Sequence, residues 1–211
     1  MPYRRPRELP NLEDMVQQFE SAIKSLVRRF RNHPYAFYTE TDMHCYLYHR
    51  LYAGGTFNGL YRTAEGHDTI LLHKEYPTIA RYRRQADKKL RKVTNAGRRG
   101  HFDICIWDPR SVKRHPHRGQ KILCAAELAL NECGANSVHT INDLTKLTDP
   151  DNKLRYGYLL FFVRDDRRFA LYEQKILREL NEAAERIRVV FALVNKNFKP
   201  KPKYLGAWGD V

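Results

Sequence analysis

The chain has 211 residues, with 38 Lys+Arg against 24 Asp+Glu and a formal net charge of +14. Its 13 Tyr, 10 Phe and 42% hydrophobic content exclude a wholly disordered chain, and the length suits one domain with a proper core. No apolar run approaches the roughly 20 residues of a membrane span, and no apolar segment follows Met1–Arg7, so neither membrane insertion nor secretion is expected. Cys45, Cys105, Cys124 and Cys133 form no CxxC pair; they read as reduced core thiols of a cytoplasmic protein, which argues against zinc.

Residues 1–10 read as a basic arm, 11–198 as one α/β domain and 199–211 as a tail. From Leu12, the apolar positions Met15, Val16, Phe19, Ala22, Ile23, Leu26, Val27 and Phe30 make one helical stripe, with Asn11 as N-cap and His33-Pro34 as stop. A second helix is expected from Thr39 to Ala53, with Thr39 and Asp42 as a capping pair and Gly54-Gly55 as its end. Thr69–Tyr76 predicts a strand closed by Pro77, and Thr78–Lys92 a basic helix. Phe102–Trp107 and Ile122–Leu130 predict two further strands, the second apolar on both faces and therefore central. Ser137–Leu147 predicts a helix, Tyr158–Val163 a buried strand, Arg168–Arg188 a helix and Val189–Val194 a last strand. The order implies a mixed sheet, a meander first and crossovers later.

The positive charge is concentrated. Between Tyr76 and Lys121 there are 14 Lys/Arg and only three acids, Asp87, Asp103 and Asp108. Arg81, Arg83, Arg84, Lys88, Lys89, Arg91, Lys92, Arg98 and Arg99 form its dense part. Lesser basic stretches lie at 110–118 and in the tail. Such a field attracts phosphate backbones by steering and counterion release, so nucleic acid is the expected partner, DNA ahead of RNA.

Two acids interrupt the most apolar strands. Alternation puts Asp103 on one face with Cys105 and Trp107, and Glu127 on one face with Ala125 and Ala129. A buried carboxylate is costly unless paired, whereas two on neighbouring strands can share a divalent cation. Oxygen donors suit Mg²⁺ or Mn²⁺.

Taken together, Glu40, the Glu75–Thr78 strand, Gly100–Pro109, Ala125–Leu130 and Asp143–Leu147 resemble the PD-(D/E)XK nuclease superfamily over roughly 39–194. The resemblance implies a restriction-endonuclease-like mixed β-sheet flanked by helices, with an N-terminal helical extension. It implies metal-dependent phosphodiester hydrolysis, Mg²⁺ or Mn²⁺ held by Asp103 and Glu127, and Glu40 standing at the site from its helix. The ion would polarise the scissile phosphate and lower the pKa of the attacking water. His101 shares strand parity with Asp103, which would let it touch substrate phosphate, a capping or packing role being the alternative.

One position departs from the pattern. The superfamily's second acid is followed two residues later by Lys, and here that residue is Ala129. Lys146, on the following helix, is the candidate for a migrated lysine. A nuclease relic that binds without cutting, or an inactivating substitution, would equally leave an alanine at this position. The alternative function is therefore a non-catalytic nucleic-acid-binding or scaffolding module, with a homodimer or larger complex as its setting.

Overall fold

In the computed structural model, residues 8–63, 66–85, 89–94, 97–112, 120–131, 137–164 and 187–194 are described. Helix α1 spans Leu12–Asn32, and the Asn11 side chain accepts from the Glu13 N–H as its cap. Helix α2 spans Glu40–Ala53. Thr39 and Asp42 close both arms of a capping box at its start. Strands β1 (Tyr61–Arg62) and β2 (Asp68–Thr69) make a small antiparallel ribbon.

The main sheet contains β3 (Leu72–Arg84), β4 (Leu90–Val93), β5 (Arg98–Trp107), β6 (Ile122–Asn131), β7 (Leu154–Val163) and β8 (Ile187–Leu193). Its spatial order is β4-β3-β5-β6-β7-β8. The pairs β3–β4, β3–β5 and β5–β6 are antiparallel, whereas β6–β7 and β7–β8 are parallel. The one-turn α3 (Pro109–Val112) follows β5, and α4 (Ser137–Thr148) carries the chain from β6 towards β7. This is the expected mixed α/β sheet with its meander first.

Two helices cover opposite faces, as two consecutive β7 residues make clear. Tyr158 packs its ring 5.2 Å from Phe19 of α1, and Phe162 lies 5.0 Å from Phe30. A Cβ at Gly157 would lie 3.4 Å from Leu147 of α4, on the other face. The apolar stripe of α1, with Met15, Phe19, Ile23, Leu26 and Phe30 at 0% exposure, is thus spent on the core and not on a docking surface. Truncating Phe30 to Ala would cost about 3–5 kcal/mol. Helix α2 packs beside α1, where Ser25 and Tyr46 share a hydrogen bond of 3.2 Å.

The expected basic helix does not form. Residues 78–84 continue β3, and Leu90–Val93 returns as β4. Thr78, Ala80 and Tyr82 are buried in alternation with Ile79, Arg81 and Arg83, which is a strand period. Pro77 does not stop β3 because the register shifts between Pro77 and Arg81, the irregularity in which a strand tolerates proline. The helix expected over Arg168–Arg188 falls mostly outside the described residues, and its end is corrected, because Ile187 and Arg188 already belong to β8. Cys105 and Cys124 are free and buried as expected, but Cys45 is exposed; Cys133, the 110–118 basic stretch beyond Val112 and the lysine-rich tail lie outside the described residues. Among the described residues, no helix is long and apolar enough to cross a membrane.

Candidate metal centre and its lysine

The site lies where β5 and β6 part. Their ladder ends at the Ile104–Ala126 pair, although β6 stays paired with β7 as far as Asn131. Beyond that point the β6 N–H groups facing β5 need other acceptors, and carboxylates supply them. Leu128 N–H donates to Asp103 Oδ2 at 2.7 Å, and Leu130 N–H to Glu40 Oε1 at 3.0 Å. Glu40 thereby ties the start of α2 to the central strand.

Two side chains, His44 and Glu75, converge on Asp103. Ligand atoms of His44, Glu75 and Asp103 all lie within 4.8 Å of one another. His44 is buried on α2, one turn after Glu40, and its Nε2 stands 3.2 Å from Asp103 Oδ2. That contact lacks hydrogen-bond alignment, so Nε2 is a buried nitrogen without a hydrogen-bond partner. Glu75 stands across from Asp103, between the pairs Lys74–Ile104 and Tyr76–Phe102. Its φ of 52° is left-handed, a conformation that costs a glutamate about 1–2 kcal/mol within a strand. A buried imidazole nitrogen that makes no aligned hydrogen bond, beside two carboxylates, is a donor set that a divalent cation could occupy.

A second group adjoins the first. Glu127 is 1% exposed, and its Oε1 lies 2.8 Å from Lys146 Nζ. The same ammonium lies 2.9 Å from Asp143 Oδ1 and donates to the His101 carbonyl at 2.9 Å. Burial pushes the Glu127 carboxyl well up, with Asp143 and Asp103 adding to the rise and Lys146 opposing it. Burial likewise raises Asp143, with Asp103 and Glu40 contributing and Lys146 opposing. Burial would lower Lys146, but Glu127 and Asp143 outweigh it and hold its pKa above the ordinary value, so the lysine stays protonated. Gly100 makes room for it: a Cβ there would stand 2.9 Å from Lys146 Cδ.

Glu127 and Asp143 thus flank one lysine, and Asp103 and Glu40 bear electrostatically on these carboxyls, an acidic cluster in a strongly basic chain. Asp103 belongs to both groups. Glu127 does not belong to the three-residue ligand set; its near oxygen is engaged by Lys146. Ala129 is buried on β6 and brings no charge to the site.

The sequence reading missed His44 and Asp143 as site residues. A signal existed for both: Glu40 and His44 are spaced i,i+4, and Asp143 and Lys146 i,i+3, so each pair shares a helix face. His101 is exposed, and its backbone carbonyl, not its ring, is what touches the site.

The basic residues sort into two faces of the β3–β4–β5 ribbon. Tyr82 and Lys92 pair across one face, Tyr82 buried and Lys92 exposed. Tyr82 Oη meets Asp149 and Asn152, while Lys92 Nζ is 3.1 Å from Asp149 and 2.7 Å from Asp151. Lys92, expected to contact phosphate, is an exposed cation already paired with Asp149 and Asp151. The other face carries Arg83 opposite Arg91 and Arg81 opposite Arg99, all exposed. Like charges directly opposite each other on a sheet repel, a cost that an anion laid across them would remove. Arg84, Lys89 and Arg98 are also exposed; Lys88 lies outside the described residues.

No family model matches the chain, and neither the curated proteins nor the solved structures contain a match to it.

Proposed function

We propose that this chain is a divalent-metal-dependent nuclease that hydrolyses phosphodiester bonds of DNA or RNA, on a sheet of the restriction-endonuclease-like kind. The observation that carries the reading is the convergence of His44, Glu75 and Asp103, with the His44 Nε2 buried and lacking a hydrogen bond. The meander-then-crossover strand order, with an acid on each of the two strands that part, supports the fold reading.

His44, Glu75 and Asp103 would hold Mg²⁺ or Mn²⁺, which supplies polarisation of the phosphodiester and a more acidic attacking water. Lys146 provides a fixed positive charge beside the site. Glu127 and Asp143 hold its ammonium in place, so no reorganisation is needed as negative charge develops. It takes the part that a lysine at position 129 would have taken, reached from α4 instead of from β6. Glu40 keeps the Leu130 N–H satisfied and so preserves the gap between the strands. The Arg81, Arg83, Arg91 and Arg99 face supplies the attraction for a phosphate backbone.

A second reading, a non-catalytic nucleic-acid-binding module, is favoured by Ala129 and by the paired state of Lys146. Cleavage assays separate the two. The nuclease reading expects cutting of labelled DNA or RNA with Mg²⁺ or Mn²⁺, abolished in Asp103→Ala and in Glu127→Ala. Salt-sensitive binding without cutting under either ion, unchanged in both variants, would leave the binding module.

A further inference from the structure

Among the described residues, the two most exposed large apolar side chains are Tyr38 (82%) and Tyr35 (75%). Single exposed aromatics are ordinary on a protein surface. These two share one short, clamped segment between α1 and α2. Phe37, between them, points inward at 4% exposure and meets Tyr46 edge-on at 5.7 Å. The Tyr38 N–H donates to Asp42 at 2.8 Å, and Ala36 N–H to His33. Arg164 donates from Nε to the Pro34 carbonyl at 2.9 Å and from its other end to the Phe37 carbonyl. The backbone is thus held from both sides while the two rings stand in solvent.

Position gives the pair a ligand. Arg164 directly follows β7, whose last residue, Val163, pairs with Asn131 at the end of β6. Tyr38 is two residues from Glu40, which holds the Leu130 N–H in the site. The tyrosines therefore stand at the carboxyl ends of parallel strands, the edge where open α/β sheets take their ligands, and beside the acidic cluster. The Arg164 guanidinium lies 5.2 Å from the Tyr35 ring centroid, a cation stacked on an aromatic. Exposed rings on a clamped backbone, one of them beside an arginine, on a chain of net charge +14, are what unpaired bases stack upon, whereas a duplex hides its base faces.

We propose that Tyr35 and Tyr38 form a stacking platform for unpaired bases, so that the nucleic acid this chain takes is single-stranded. This rests on the reading of its partner as nucleic acid. The strand would run past the tyrosines into the gap between β5 and β6.

The test is fluorescence anisotropy of the full chain with short labelled single strands, RNA and DNA, and with the matching duplexes, in EDTA so that nothing is cut. Single strands are expected to bind more tightly than duplexes. Tyr35→Ala and Tyr38→Ala should each weaken single-strand binding roughly five- to a hundredfold and leave duplex binding unchanged. The Phe variants, which keep the ring, should bind like the wild type. Duplex binding as tight as single-strand binding, or Ala variants that bind single strands normally, would overturn the proposal even if the protein proves to be a nuclease. Tyrosine-dependent single-strand binding without cleavage under any divalent ion would sustain it while sinking the enzymatic reading.

Discussion

Lys146 Nζ lies 2.8 Å from Glu127 Oε1 and so binds the helix after the central strand to that strand's buried acid. Removing one partner of such a pair strands the other charge in a low-dielectric interior. Lys146→Met should cost about 3–5 kcal/mol, read from urea denaturation. The double variant Lys146→Met/Glu127→Leu should recover most of that loss, because neither charge then remains unpaired. Neither variant should cleave nucleic acid. A Lys146→Met protein as stable as the wild type would show that the pair is not formed in solution.

Glu75 has a positive φ of 52° near the start of β3. Glycine carries no penalty there, so Glu75→Gly should raise stability by about 1 kcal/mol while weakening metal binding. Opposite movements of stability and function would mark the strain as serving the site. A Glu75→Gly protein that is less stable would remove strain from the account.

His44 makes the centre more selective than a purely acidic one. An imidazole nitrogen suits Mn²⁺, whereas Mg²⁺ prefers oxygen donors and keeps its waters. Calorimetry should find Mn²⁺ bound more tightly than Mg²⁺, with the preference narrowed in His44→Asp, which replaces nitrogen by oxygen. Loss of even an outer-shell partner typically costs ten- to a hundredfold in metal affinity, so His44→Ala should lose at least that for Mn²⁺. Equal affinities for the two ions in the wild type would argue against the nitrogen as a ligand.

Much of the fold was legible because its signals are local. The stripe from Leu12 to Phe30, the Thr39–Asp42 capping box and the apolar runs of β6 and β7 each declare themselves within a few residues. The β3–β4 hairpin was hidden for a physical reason. Its inward residues, Thr78, Ala80 and Tyr82, are only mildly apolar, while the more apolar Ile79 faces outward, half-buried. Their burial depends on partners far along the chain: Asn152 accepts from the Ala80 N–H and donates to Tyr82 Oη. Asp103, Glu127 and Lys146 could be singled out from charge in an apolar setting and from the missing lysine at Ala129. His44 could not be joined to Asp103 in the same way, because their meeting depends on how α2 packs over the parting strands. The backbone reversal that makes Glu75 unusual likewise leaves no mark in composition.

The central claim is that His44, Glu75 and Asp103 hold a divalent ion, and Mn²⁺ titration followed by electron paramagnetic resonance tests it most directly. The free-ion signal should fall on adding wild-type protein, saturate, and stay unchanged with Asp103→Asn or His44→Ala. A wild-type chain that leaves the Mn²⁺ signal untouched, or an Asp103→Asn variant that binds as well as the wild type, would contradict the account.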